Sequence, residues 1–308
     1  MKKRDLLLAV LVVVIWGANF TVIKLGLTEI PPMLLAALRY TFASLPAIAF
    51  VKRPTIGWKY VVAYGMTVGV GQFSCLFYAM NNGMPAGISS IVLQSQAFLT
   101  PIFAAVFLKE SLKRNQVIGL IVAGVGLCLI GGNIGVDGLF SIPVGAFLTT
   151  LAAAAFWGIS NIIIRYASKQ AASEGNKIDM LSMVVWSSLV PPIPFLAMAM
   201  IFDSPKTLFN TISNFNAMSV FSVLYLAIFA TLFGYGIWSK LLAQYPAGKV
   251  APLSLLVPVT GLITAQIVLT EKLSTMQWIG GFVIIVGLVL SNLGRSPISI
   301  FKTKVRQR

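Results

Sequence analysis

The chain reads as an all-α membrane protein: ten transmembrane helices as two inverted five-helix repeats. Three observations lead there. Of its 308 residues, 57% are hydrophobic and only 10% charged, with a mean hydropathy of +0.89, whereas a soluble domain carries about a quarter charged residues. Apolar runs recur at the length of roughly 20 residues that a hydrocarbon core about 30 Å thick demands. They fall at residues 5–26, 32–51, 58–80, 86–108, 115–133, 142–165, 180–202, 217–243, 248–270 and 276–294, without the short alternating segments of a membrane barrel. Lastly, the second half of the chain repeats the first.

Span 1, within MKKRDLLLAVLVVVIWGANF, begins like a signal peptide. No small-x-small cleavage site closes it and its Trp16-Gly17 pair recurs later, so it is expected to stay as a helix. It sets Trp16, Asn19, Phe20 and Ile23 on one face at i, i+3, i+4, i+7. Span 2, MLLAALRYTFASLPAIAF, holds Arg39 near its middle. An arginine at the centre of a membrane helix costs roughly 2.5–3.5 kcal/mol on insertion scales, so Arg39 must face something other than lipid. Spans 3 and 4 add Gln72, Tyr78, Gln94 and Gln96; the last two are two residues apart and on a regular helix do not share a face. Cys75 and Cys128, in spans 3 and 5, form no disulfide or metal framework and read as small core residues. Span 6 carries Trp157 and Asn161, the counterparts of span 1, and span 7 carries Trp186. Span 8 has Tyr235 and Trp238 three apart. Pro101, Pro252 and Pro258 lie within apolar runs, where a missing backbone donor kinks a helix, and are candidate gating positions.

The repeat is gapless where it is strongest. At a constant offset of 161, Pro85, Ala86, Gly87, Glu110, Leu112, Gly119 and Gly126 meet Pro246, Ala247, Gly248, Glu271, Leu273, Gly280 and Gly287. Trp16-Gly17 meets Trp157-Gly158 at an offset of 141, which also sets Lys24 on Arg165 and divides the chain into repeats at 5–133 and 142–294 with a basic tail at 295–308. Five spans per copy is an odd number, so the copies enter the membrane in opposite directions. Inverted repeats are a transporter signature, with a substrate site near the midplane where the halves meet.

The net charge of +15 invites a nucleic-acid reading, but its distribution opposes it. With ten spans and a cytoplasmic N-terminus, 19 of the 23 basic residues fall on inward segments; outward segments keep Lys24, Lys206 and Lys272, and Arg39 is within a span. That is the positive-inside asymmetry, expected of both termini in the cytoplasm. The eight acids are Asp5, Glu29, Glu110, Asp137, Glu174, Asp179, Asp203 and Glu271, all at helix ends or in loops, and histidine is absent. No midplane proton carrier is visible, which disfavours export of lipophilic cations; no phosphate-binding glycine loop, metal cluster or Ser/His/Asp set is present either, which disfavours an enzyme and argues for no cofactor. Glu110 and Glu271 read as helix-end anchors pairing with Lys109, Lys113 or Lys272.

The runs VVVIWGANFTVIKLGL, LAALRY, MPAGISSIVLQSQAF, YGIWSKLLAQY and VAPLSLLVPVTGL resemble the EamA-type branch of the drug/metabolite transporter superfamily, and within it the bacterial exporters of O-acetylserine and cysteine. The resemblance covers Val12 to about Leu293. It implies a multi-pass bacterial inner-membrane transporter whose partners are a small-molecule substrate and the bilayer, exporting amino acids or their derivatives. A polar-lined channel and a broader metabolite or drug exporter are the alternatives. The candidate substrate-binding residues are Arg39, Trp16, Asn19, Tyr78, Gln94, Trp157, Asn161, Trp186, Tyr235 and Trp238. Arg39 admits two readings: a fixed charge that takes a substrate carboxylate, or a structural role, either as a lock bonded to helix carbonyls or snorkelling outward from the outer half of its span. Its repeat partner is Trp186, so symmetry alone does not demand a cation there.

Overall fold

The computed structural model of the protein describes residues 1–112, 114–131, 142–245 and 250–293. Lys113, Asp137, Lys249, the repeat positions Pro246, Ala247 and Gly248 and the basic tail from Arg295 lie outside the described residues. The described elements are helical: α1 (Lys3–Glu29), α2 (Pro32–Ala49), α3 (Trp58–Asn81), α4 (Ala86–Leu108), α5 (Arg114–Gly131), α6 (Val144–Ser173), α7 (Met180–Phe202), α8 (Ala217–Gln244), α9 (Ala251–Leu256 as a 3₁₀ turn, then Val257–Val268) and α10 (Thr275–Leu293). Seven of them are long and apolar enough to cross a membrane, and α5, α9 and α10 are shorter apolar helices. A further short helix, Pro205–Ser213, capped by Ser204, occupies part of the polar stretch between α7 and α8; it has no fully buried residue, and Leu208 packs partly buried against the core.

Proline and polar caps mark the breaks. Pro32 opens α2, where its missing N–H is an unpaired donor in any case, and Leu45-Pro46 ends the regular part of that helix before a 3₁₀ turn. Asp179 caps α7, accepting from Leu181 N at 3.0 Å, and α7 is interrupted at Ser188–Pro191 before resuming at Pro192.

Equivalent positions of the two halves carry equivalent irregularities. α3 winds as a π-helix at Gly65–Gln72, and α8 does so at Tyr225–Phe233. α4 passes through a 3₁₀ turn at Leu93–Ser95, and α9 begins with one at Ala251–Leu256. α4 ends on Lys109 at φ 54° and α9 is followed by Thr270 at φ 52°, both left-handed. The next amide closes each end in the same way, Glu110 N to Ala104 O at 3.3 Å and Glu271 N to Ala265 O at 3.4 Å, each reaching six positions back, one further than the bond of a Schellman motif.

Lipid offers no hydrophobic force between helices, so close packing must come from small residues. A Cβ on Gly119 would meet Gly287 O at 2.7 Å, and one on Gly126 would meet Gly280 O at 2.7 Å. The ascending order of one helix meets the descending order of the other, so α5 and α10 run antiparallel. α1 pairs with α9 in parallel, Val13 and Gly17 meeting Thr260 while Thr21 Oγ1 bonds Thr264 Oγ1 at 3.0 Å. α4 pairs with α6 in parallel too, Gly158 facing Leu99 and Phe103 and Tyr166 donating to Phe107 O at 3.0 Å. The first helix of each half therefore packs on the fourth of the other. Large apolar side chains on the outer faces, among them Ile201, Phe202, Ile267 and Phe282, are exposed as a lipid-facing belt requires. The cysteines divide: Cys75 is half-buried against the core, whereas Cys128, expected in the core, is exposed.

Candidate functional site

Eight helices leave a cavity of about 280 Å³ at their centre; α5 and α10 contribute nothing to its lining. α1 supplies Trp16, Asn19 and Phe20, α2 supplies Arg39, and α3 supplies Tyr64, Gln72, Phe73 and Leu76. Gln94 and Gln96 come from α4, Trp157 and Asn161 from α6, Met180 from α7, Tyr235 and Trp238 from α8, and Ser254 from α9.

Arg39 is 4% exposed. Its guanidinium carbon lies 4.1 Å from the centre of the Phe73 ring and 5.6 Å from that of Tyr40. Nη2 donates to Thr231 Oγ1 at 3.4 Å, the long end of the hydrogen-bond range. Nε and Nη1 are buried without a partner among the described residues. Cation–π contacts contribute about 0.5–2 kcal/mol and one long hydrogen bond about 1 kcal/mol, whereas burying an ion costs several kcal/mol. The guanidinium is therefore under-satisfied where it stands, and the carbonyl-bonded lock is not the arrangement found: its one acceptor among the described residues is a hydroxyl. Thr231 is itself held by donating to Leu226 O at 2.8 Å, five residues back along the π-helical stretch of α8.

Two buried amide oxygens share this shortage, Asn19 Oδ1 and Gln72 Oε1, both without a partner among the described residues. Both residues line the same cavity as Arg39. The same cavity also has an aromatic lining. Trp16 packs 5.3 Å from Tyr235 and 5.2 Å from Trp238 between ring centres, and its Nε1 donates to Ala230 O at 2.9 Å.

Of the residues singled out in the sequence, Trp16, Asn19, Arg39, Gln94, Trp157, Asn161, Tyr235 and Trp238 line this cavity. Tyr78 and Trp186 do not. Tyr78 is 49% exposed on α3. Trp186 turns toward the α2 end of the bundle, donating from Nε1 to Val51 O at 3.0 Å and meeting Trp58 edge-on at 5.8 Å. Gln94 and Gln96 both line the cavity, contrary to the helical-face expectation, because the 3₁₀ turn at Leu93–Ser95 breaks the α-helical spacing between them. Pro101 is interior to Gln96–Leu108, whereas Pro252 and Pro258 each sit in the first turn of their helical segments, where proline is tolerated. Tyr64, Phe73 and Met180 join the lining without a signal in the sequence that separates them from packing residues.

The repeated glutamates bind differently from expectation. Glu110 takes Arg165 of α6, both carboxylate oxygens lying 2.7 Å from Nη2. Glu271 accepts from the backbone of the α4 N-terminus, Ala86 N at 2.6 Å and Gly87 N at 3.0 Å, where the helix dipole favours an anion. The alignment of Lys24 with Arg165 was the signal that could have found the pairing, since Lys24 Nζ also lies at the Glu271 end of the bundle, donating to Met80 O at 2.5 Å.

Long apolar helices folded around a buried polar pocket define a membrane transport protein. The chain belongs to the EamA-like transporter family, which it matches twice, over residues 3–132 and 144–293. It is 42% identical over 295 residues, 96% of each chain, to a protein of Escherichia coli (strain K12) named "Probable amino-acid metabolite efflux pump". A protein of the same name from Salmonella typhimurium (strain LT2) is also 42% identical over 297 residues, 96% of each chain. An "Uncharacterized inner membrane transporter YedA" of Escherichia coli (strain K12) is 23% identical, covering 92% of this chain and 88% of its own. One solved crystal structure, 18% identical, shares the fold with a TM-score of 0.61 over 95% of this chain and 98% of its own.

Proposed function

We propose that the protein exports amino acids or close derivatives, cysteine and O-acetylserine among them, across the bacterial inner membrane by alternating access between two inverted five-helix repeats. One observation carries the substrate class. A buried guanidinium with two unengaged nitrogens and two unengaged amide oxygens line one cavity. Arg39 presents the planar fork that a carboxylate accepts in two bonds, and Asn19 Oδ1 and Gln72 Oε1 accept from an ammonium. Together they complement the head group common to α-amino acids. The cavity lies just under the roughly 300–1,000 Å³ usual for small-molecule sites, suiting a small solute. Trp16, Trp157, Tyr235 and Trp238 bound the space left to the side chain. The names of the 42%-identical relatives support the same class.

The alternation follows from the shared irregularities of the halves, from the odd span count of each copy and from the antiparallel α5–α10 pair. On this reading, ten helices cross the membrane and both termini are cytoplasmic, which puts Glu110 at the inner end and Glu271 at the outer one.

The test is transport in proteoliposomes. Arg39→Lys keeps the charge and loses the fork, and is expected to cut counterflow of labelled L-cysteine about tenfold with an unchanged Tm; Arg39→Gln is expected to lose more. An Arg39→Gln protein that folds and exports like the parent removes the residue from the site. Loss of Tm in both variants, with transport per folded molecule intact, assigns Arg39 to structure instead.

A further inference from the structure

A second cavity, of about 320 Å³, lies beside the first and is larger than it. Glu110, Ser111, Arg165, Thr100, Gln96 and Asn161 give it polar walls. Gln96 and Asn161 line both spaces. Between them runs a hydrogen bond from Asn161 Nδ2 to Gln96 Oε1 at 2.9 Å, reinforced by a second from Asn161 Nδ2 to Thr100 Oγ1 at 3.1 Å. Those two bonds form a bar of neutral side chains between the second chamber and Arg39.

The charged pair in this chamber is open to exchange. Arg165 meets both Glu110 oxygens through the single nitrogen Nη2. A fork-to-fork pair would use two nitrogens. The side chains are 41% and 39% exposed, and an exposed pair is held by about 0–1 kcal/mol. A zwitterion inserted here sets its carboxylate against Arg165 and its ammonium against Glu110, so every charge keeps an opposite neighbour and no net charge enters the chamber. The repeat-related pair at the other end has no such freedom: Glu271 is taken up by two α4 amides and Lys24 by Met80 O.

We propose that the chamber bounded by Glu110, Arg165 and Thr100 is a second, receiving site for zwitterionic amino acids, from which substrate crosses the Asn161–Gln96 bar to Arg39. The site rests on the amino-acid reading above and extends it. It is a way-station, so its loss weakens capture from one face of the membrane only.

The experiment uses the full-length protein in proteoliposomes of defined orientation, with labelled L-cysteine presented at each face in turn. Glu110→Gln combined with Arg165→Gln is expected to raise the half-saturating concentration about five- to tenfold at the Glu110 face and to leave it unchanged at the opposite face. Arg165→Lys keeps the ion pair and the fold, and is expected to raise it about threefold at that face alone. An equal rise at both faces, or no rise in either variant, overturns the receiving site. Arg39→Gln serves as the internal reference, since it is expected to weaken capture from both faces. A silent Arg39→Gln beside a one-sided effect of the double variant rejects the central reading while leaving the chamber standing.

Discussion

The α1–α9 seam and the α4–α6 seam are built from aligned residues and packed to different depths. On the first, Gly17 lets α1 approach until a Cβ there would run into Thr260 and stand 2.7 Å from Gly261 N. On the second, the aligned Gly158 faces the Phe103 ring at 3.0 Å and the Leu99 Cβ at 3.5 Å. A backbone meets a backbone in one case and a side chain in the other. The wider seam is the one beside the second chamber, and the tighter one is cross-linked by threonine hydroxyls. Aligned glycines thus give a tighter and a looser seam according to what stands opposite each.

Substitution at the two glycines breaks this comparison most directly. Gly17→Ala forces a shift in backbone and is expected to destabilise by about 1–3 kcal/mol, the usual cost of overpacking. Gly158→Ala needs only a small rotation of Phe103 and is expected to cost well under that. Thermal melts of the two variants in the same detergent check the ordering, and equal losses would refute the difference between the seams. Next in size is the acid pair. Glu271→Gln removes a charged cap from the α4 N-terminus and is expected to cost about 1 kcal/mol, whereas Glu110→Gln breaks a half-exposed pair of about 0–1 kcal/mol. Adding salt should narrow the first gap less than the second, because the amide-bound carboxylate is less open to screening. The smallest effect is a gain. Thr270→Gly relieves a β-branched residue held at φ 52° and is expected to stabilise by up to about 1 kcal/mol, more than Lys109→Gly at φ 54°. A destabilising Thr270→Gly would show that the hydroxyl, bonded to Leu269 O at 2.7 Å, matters more than the strain.

Much of this was legible in the chain. The apolar runs locate the helices because membrane-spanning backbone must be helical, and the run at 180–202 coincides with α7. The glycines paired at an offset of 161 read only as repeat identities; the close crossing of α5 and α10 they permit is visible in the structure alone. The π-helical stretches of α3 and α8 left no trace in Gly65–Gln72 and Tyr225–Phe233, because a register change of one residue depends on neighbours rather than on local propensity. Gln94 and Gln96 misled for a related reason: helical spacing was assumed across a break. Trp186 shows a further limit. The repeat sets it opposite Arg39, yet its indole N–H donates to Val51 O and its ring lies outside the cavity that Arg39 lines.

The glycine contact between α5 and α10 has an arithmetic of its own. Gly119 touches Gly287 as Gly126 touches Gly280, so the same patch is used twice against itself, an isologous interface in the language of oligomers. Such a contact saturates at two. A third five-helix unit would find the patch already occupied, which is why duplication of this element yields a closed pair and not an extending array, and why a bulky residue placed on α5 is felt at the same depth on α10.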